Sequence, residues 1–201
     1  MTSSIPDLSV AMWRMDLNDL PNYECPQDSS FRILPYEPGM EKAWTRLQQR
    51  ADRYNDIDDT LFFNTFSRNE KDLKERVLFM IDTSNRPIGS SAAWMGKWPE
   101  DHPLQELHGR IHWVAIDPDY QGQGLSKPLL SSTCQRLREL NHDKTYLTTS
   151  IVRIPAIKLY LLFGFYPALV KDSDYERWRM IKSLLPSPLV GMTETGEIRP
   201  L

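Results

Sequence analysis

Between residues 110 and 140 the chain passes from an apolar segment, Arg110-Ile111-His112-Trp113-Val114-Ala115-Ile116, through Asp117-Pro118 and Gln121-Gly122-Gln123-Gly124 into a helical pattern. Past the glycines, Leu125, Leu129, Leu130, Leu137 and Leu140 recur on one side of a helix. A strand, a glycine-rich turn and an amphipathic helix in that order belong to an α/β protein. Glycine has no Cβ, so the backbone can curl closely around a ligand, and the helix that follows presents unpaired N–H groups and a positive dipole end. That geometry suits a pyrophosphate; a tight strand-to-helix turn with no ligand is the other reading that an isolated Gly-x-Gly leaves open.

The flanking segments extend the same pattern. Residues 1–30 contain Pro6, Pro21 and Pro26 without a sustained period and read as an irregular N-terminal extension. Phe31 to Leu34 alternate as a strand, and Met40, Trp44, Leu47 and Ala51 then recur at helical spacing. A second helix is expected within residues 57–75. Residues 77–81 and 87–94, separated by Asp82-Thr83-Ser84-Asn85, read as a β-hairpin. A long polar connection spans Gly96 to Gly109. Downstream, strands are predicted at 144–149 and 165–170, a short helix at 156–163, and a final strand from Tyr175 to Ile181 around Trp178 and Met180. The order predicts one α/β domain over residues 31–185 with a mixed sheet, and a C-terminal tail at 186–201.

Charge excludes some functions. Twenty-four basic and 27 acidic side chains leave a net charge of -3, so the chain has no global positive field to attract phosphate backbones, and a nucleic-acid binder is not expected. Polar residues interrupt every apolar run short of the roughly 20 residues that a bilayer-spanning helix requires. No secretory pattern is read at the N-terminus, so the cytoplasm is the expected compartment. Cys25 and Cys134 lie far apart, without Cys or His partners at ligand spacing, so neither a disulfide framework nor a metal site is expected.

Two nucleotide motifs can be tested against the letters. The dinucleotide fingerprint needs a third glycine where Lys127 stands, and the NTPase loop needs a Gly-Lys-Ser/Thr ending that is missing. Gln121-Gly122-Gln123-Gly124-Leu125-Ser126 instead resembles the acyl-CoA loop, Gln/Arg-x-x-Gly-x-Gly/Ala, of the GCN5-related N-acetyltransferases (GNAT). About 35 residues downstream, PAIKLYLLFGFYPA resembles that family's second signature, with Ala, Leu-Tyr and Gly-Phe on a short helix that runs into a strand. The resemblance is specific over residues 109–170.

It implies a twisted, mixed and largely antiparallel sheet with flanking helices, in which the parallel strands at 110–116 and 145–150 splay apart. Pantetheine would bond to the backbone of Val114, Ala115 and Ile116. The pyrophosphate of acetyl-CoA would lie on the amides of Gln121, Gly122, Gln123, Gly124, Leu125 and Ser126. Tyr160 takes the position of the family's tyrosine and is expected as general acid. Homodimers are frequent in the family.

Chemistry argues for the same set of roles. An aliphatic amine with a pKa of about 10.4 must lose a proton before it attacks a thioester, and a phenol of pKa about 10 can protonate a departing thiolate whose thiol has a pKa of about 8.5. Where many members carry a carboxylate on the strand, Arg110 stands here, and it cannot accept a proton. His112, two residues on and so on the same face, is the candidate base, with Glu106 or a water chain as alternatives. Ser126, Arg153 and Pro128 also depart from the family pattern. Cys134 falls in register with an apolar helix face, and no Cys-His pair suggests a covalent intermediate. Trp98 to Glu106, with Trp94 and Trp113 on adjoining strands, could receive a cationic or aromatic amine, or could be a solvated connection. The expected function is transfer of acetyl from acetyl-CoA to a primary amine of a small molecule or peptide in a ternary complex. A non-catalytic acyl-CoA sensor is the alternative.

Overall fold

A computed structural model of the chain describes residues 5–25, 31–98 and 106–201. The first elements are β1 (Ser9–Arg14), β2 (Arg32–Pro35), α1 (Glu41–Ala51), α2 (Leu61–Thr65), α3 (Glu70–Arg76), β3 (Val77–Ile81) and β4 (Pro87–Trp98). β5 (Glu106–Ile116), α4 (Ser126–Glu139), β6 (Thr145–Ser150), α5 (Ile154–Leu162) and β7 (Tyr166–Leu169) follow. α6 (Asp172–Ile181), β8 (Val190–Thr193) and β9 (Ile198–Pro200) complete the order. The chain forms two compact units that interleave in sequence: one takes 21–95 and 110–141, the other 1–20, 96–109 and 142–201.

In the first unit, β2, β3, β4 and β5 are neighbours in that order, and β3 is antiparallel to both β2 and β4. All five residues of β3 are buried, and their alternation explains how two layers of helix cover one strand. Val77, Phe79 and Ile81 pack with Trp44 of α1, Phe62 of α2, Phe66 just past its end and Leu73 of α3. Leu78 and Met80 pack on the other side with Ile88, Ile116, Leu125 and Leu129. The helix expected within 57–75 is two helices. α2 ends at Thr65, and Asn69 restarts the pattern as an N-cap whose side chain accepts from Lys71 N at 2.9 Å. β4 and β5 meet closely at Gly89, where an added Cβ would lie 2.8 Å from Ile116 Cδ1 and 3.2 Å from the Ala115 carbonyl.

In the second unit the strand order is β6, β1, β7, β8, β9, with β7 and β8 parallel and the other pairs antiparallel. Three expectations are corrected in this unit. Residues 1–30 are not wholly irregular, because Ser9–Arg14 forms β1 and pairs with β6 and β7. Four successive residues of β1, Val10 to Trp13, are buried, so the strand shows none of the alternation that marks a half-exposed one. Tyr175 to Ile181 belongs to α6 rather than to a strand. Trp178 and Ile181, three apart, are its buried residues, whereas Met180 is exposed. Residues 186–201 are not simply a tail, since they carry β8 and β9, with β8 seated beside β7. Among the described residues no helix is long and apolar enough to cross a membrane.

Candidate active site

At the turn between β5 and α4, Gly122 and Gly124 hold φ of +79° and +77°, a region that residues with a Cβ rarely adopt. Open space surrounds both, with no atom within 4 Å of a Cβ built on either. Gln121 to Gly124 are exposed, and the Gln121 side chain turns back to donate to the Ile116 carbonyl at 2.9 Å, which closes the turn onto the end of its strand. Leu125 is buried against Ile116 and Leu129, so only its backbone can face outward. Leu125, at the N-cap of α4, provides no side-chain hydrogen bond to the helix. Uncapped amides on a 14-residue helix, behind glycines with open space around them, fit an oxyanion-rich ligand such as a pyrophosphate. Pro128 falls in the first turn of α4, where its missing N–H is tolerated.

The base of this loop is fixed by charge. The Asp117 side chain is 5% exposed and accepts from Arg50 Nε at 2.9 Å and Nη2 at 3.0 Å, while Arg86 Nη2 approaches at 3.5 Å. Asp117 Oδ1 also accepts from Asp119 N at 3.1 Å, and Tyr120 OH donates to Asp82 Oδ2 at 3.0 Å. The hydrogen bond from Arg50, ahead of other causes, holds the Asp117 carboxyl below the usual carboxylate range. Replacing Asp117 by Asn is expected to cost about 1–2 kcal/mol at pH 7, because both guanidinium groups are half-exposed. Since the folded-state pKa lies below the unfolded value of about 3.9, that stabilisation is present above it and is lost as pH falls through the folded value. Urea titrations of both proteins from pH 7 towards about pH 3 should therefore show the gap narrowing; a constant gap would contradict the assignment. Sequence reading saw only a turn at Asp117-Pro118 and missed this network; the signal was the pairing of a strand-end aspartate with two arginines distant in sequence.

On β5 itself, Val114 is half-buried and Ala115 and Ile116 are buried. Trp113 has φ +49° in the middle of the strand, a strained conformation for a bulky residue. Its carbonyl accepts from Gln48 Nε2 of α1 at 3.2 Å, and its ring packs edge-on to Trp44 with centroids 5.3 Å apart. His112 is half-buried against Phe66 (6.0 Å between ring centroids) and Trp113 (5.9 Å). Desolvation, with a smaller contribution from the Arg110 charge, pushes its pKa down to about 3. The ring is therefore neutral and weakly basic at neutral pH.

In the other unit, Tyr160 is 7% exposed near the end of α5. The helix closes with two backbone bonds, Phe165 N to the Tyr160 carbonyl at 3.0 Å and Gly164 N to the Leu161 carbonyl at 3.0 Å. Gly164, at φ +73°, supplies the left-handed residue, and the Tyr160 and Phe165 rings are in contact at 6.1 Å. This is a Schellman closure with its hydrophobic clasp, and it explains the spacing Tyr-x-x-x-Gly-Phe. Arg14 of β1 donates to the Phe163 carbonyl at the same helix end.

The expected acceptor segment lies mostly outside the described residues, as does the side chain of Glu106. Trp98 stacks on Tyr146 at 5.3 Å, while Trp94 and Trp113 pack against the aromatic cluster of the glycine-loop unit. Cys134 is fully buried in α4. Among the described residues no group of three or more His, Cys, Asp or Glu could hold a metal ion.

Comparison with known proteins gives a consistent result. Over 165 residues the chain is 28% identical to the mycothiol acetyltransferase of Pseudarthrobacter chlorophenolicus, covering 77% of this chain and 49% of that protein. It is 31% identical over 128 residues to human N-acetyltransferase 8B, covering 62% and 51%. The chain thus spans about half the length of the curated relatives it matches. A GCN5-related N-acetyltransferase from Sphaerobacter thermophilus shares the fold with a TM-score of 0.61 at 19% identity, over 79% of this chain and 48% of the other. The ribosomal-protein-S18-alanine N-acetyltransferase of Escherichia coli superposes with a TM-score of 0.52 at 18% identity, over 67% and 76%. The profile of the acetyltransferase (GNAT) family matches residues 40–165, which take in the glycine loop, β5 and α5 with Tyr160. A match over more than half of the chain, those elements included, places this protein in the acetyltransferase (GNAT) family.

Proposed function

We propose that the protein transfers an acetyl group from acetyl-CoA to a primary amine of a small molecule or peptide. The exposed loop with left-handed glycines at 122 and 124, leading into the uncapped start of α4, carries this reading. Amides of Gly122 to Ser126 hold the pyrophosphate, that of Gln121 being directed to the Pro118 carbonyl at 3.3 Å, and the backbone of Val114, Ala115 and Ile116 receives the pantetheine arm. The acceptor nitrogen attacks the thioester carbonyl carbon; a C–N bond forms, the C–S bond breaks, one proton leaves nitrogen and one reaches sulfur. Tyr160 supplies the proton to sulfur. Burial lowers the His112 pKa, which weakens it as the base; Glu106 and a water chain are the alternatives for taking the amine's proton.

Thermal melting with acetyl-CoA, CoA, ATP and NAD tests the donor site. A ligand at 100 times its dissociation constant adds about 2.7 kcal/mol. Stabilisation by acetyl-CoA and CoA alone, followed by thiol release in a panel of amines, supports the enzyme; no response to either coenzyme form sinks it. A second reading, a non-catalytic acyl-CoA sensor, is favoured by Arg110 at the carboxylate position and by the weak basicity of His112. It predicts coenzyme binding without turnover on any amine.

The neutral state of His112 can be checked separately. Its ring C–H resonance, identified by its loss in His112→Gln, should not titrate between about pH 5 and pH 9, because the folded pKa lies well below that window. A midpoint close to 6.5 would restore His112 as a full-strength base.

A further inference from the structure

The strained residue in the middle of β5 is held from outside the strand. A left-handed conformation at a residue with a Cβ persists only where the surroundings impose it. At Trp113 those surroundings are two residues of α1 that sit one turn apart: Trp44 packs edge-on to the indole, and Gln48 donates to the carbonyl at 3.2 Å. The Gln48 side chain is itself fixed. The residue is 2% exposed, and its Nε2 also lies 3.0 Å from Ser90 Oγ of β4. The carbonyl of Trp113 and the N–H of Val114 belong to one planar trans peptide and point in opposite directions, so a bond that holds the first aims the second. The Gln48 amide reaches Ser90 Oγ and the Trp113 carbonyl, and neither Gln48 nor Ser90 has a group that titrates near neutral pH with which to move protons.

We propose that Gln48 is a positioning residue for acetyl transfer: by holding the Trp113 carbonyl it turns the Val114 N–H towards the oxygen of the bound thioester. This rests on the acetyltransferase reading given above. A preorganised N–H that meets the developing oxyanion lowers the barrier, and a misaligned one loses most of that effect. Gln48 thus acts on the carbonyl of the donor and not on its nucleotide, and that sets the form of the test.

Acetyl-CoA labelled with carbon-13 at the carbonyl is bound to wild type, Gln48→Leu and Ser90→Ala, and the carbonyl resonance is read together with the affinity for CoA, which has no thioester. The wild type should move the resonance downfield on binding. Gln48→Leu should reduce that displacement and lower kcat roughly tenfold to a hundredfold with any amine that supports turnover, while CoA affinity is retained. Ser90→Ala, which frees the same amide without adding bulk to the core, should give an intermediate displacement, and it carries the test if Gln48→Leu does not fold. The same displacement in the variants as in wild type overturns the role of Gln48. Failure of wild-type protein to bind acetyl-CoA overturns the donor-site reading itself and this inference with it, a different result from unchanged spectra.

Discussion

Tyr160→Phe is expected to bind CoA as wild type does and to turn over about 10² to 10⁴ times more slowly. The expectation rests on how the side chain is held. Its backbone carbonyl is tied by Phe165 N, its ring touches Phe165, and Gly164 supplies the left-handed turn, so removal of one hydroxyl leaves the closure of α5 intact. The folding cost should be no more than about 1 kcal/mol. A thiolate whose thiol has a pKa of about 8.5 gains less from a proton donor as the solution becomes more alkaline, so the deficit should shrink above that pH. Steady-state rates at about pH 7 and pH 9.5, with CoA affinity measured alongside, decide the matter. An equal deficit at both values would show that the hydroxyl serves binding or packing, and no deficit would reduce Tyr160 to a clasp for its helix.

Legibility of the fold in the sequence followed one rule: features written as a required residue type could be read, and features created by tertiary contact could not. Gly122, Gly124 and Gly164 all have positive φ, and each stands in one of the two stretches that led from letters to function. The β3–β4 hairpin was readable because a turn-rich tetrad separates two apolar runs. β1 was not, because Val10 to Trp13 are buried in succession and no period shows. In α6 an apparent alternation around Trp178 and Met180 hid the helical spacing of Trp178 and Ile181. The strain at Trp113 left no trace, since tryptophan does not announce a left-handed backbone. Gln48 did leave one: it is a polar residue on the stripe defined by Trp44, Leu47 and Ala51, and a buried amide on an apolar face calls for a partner.

Gly124→Val should abolish the response to acetyl-CoA while costing the fold little more than a matched substitution elsewhere. Gly39 provides the match, because it too has a positive φ, +98°, and no atom within 4 Å of an added Cβ. At both positions a side chain imposes about 1–2 kcal/mol of backbone strain with no collision against the protein. The two variants should therefore melt at similar temperatures without ligand. They should part company when acetyl-CoA is added at 100 times the wild-type dissociation constant. Gly39→Val should keep the full stabilisation of about 2.7 kcal/mol, and Gly124→Val should keep less than about 0.5 kcal/mol if its affinity falls a hundredfold or more. The difference arises because the open space beside Gly124 is where the pyrophosphate is proposed to lie, so an isopropyl group fills it and the strained amides turn away. Equal retention in both variants would mean that the glycines of this loop only shape a turn, and the donor site would then have to lie elsewhere on the chain.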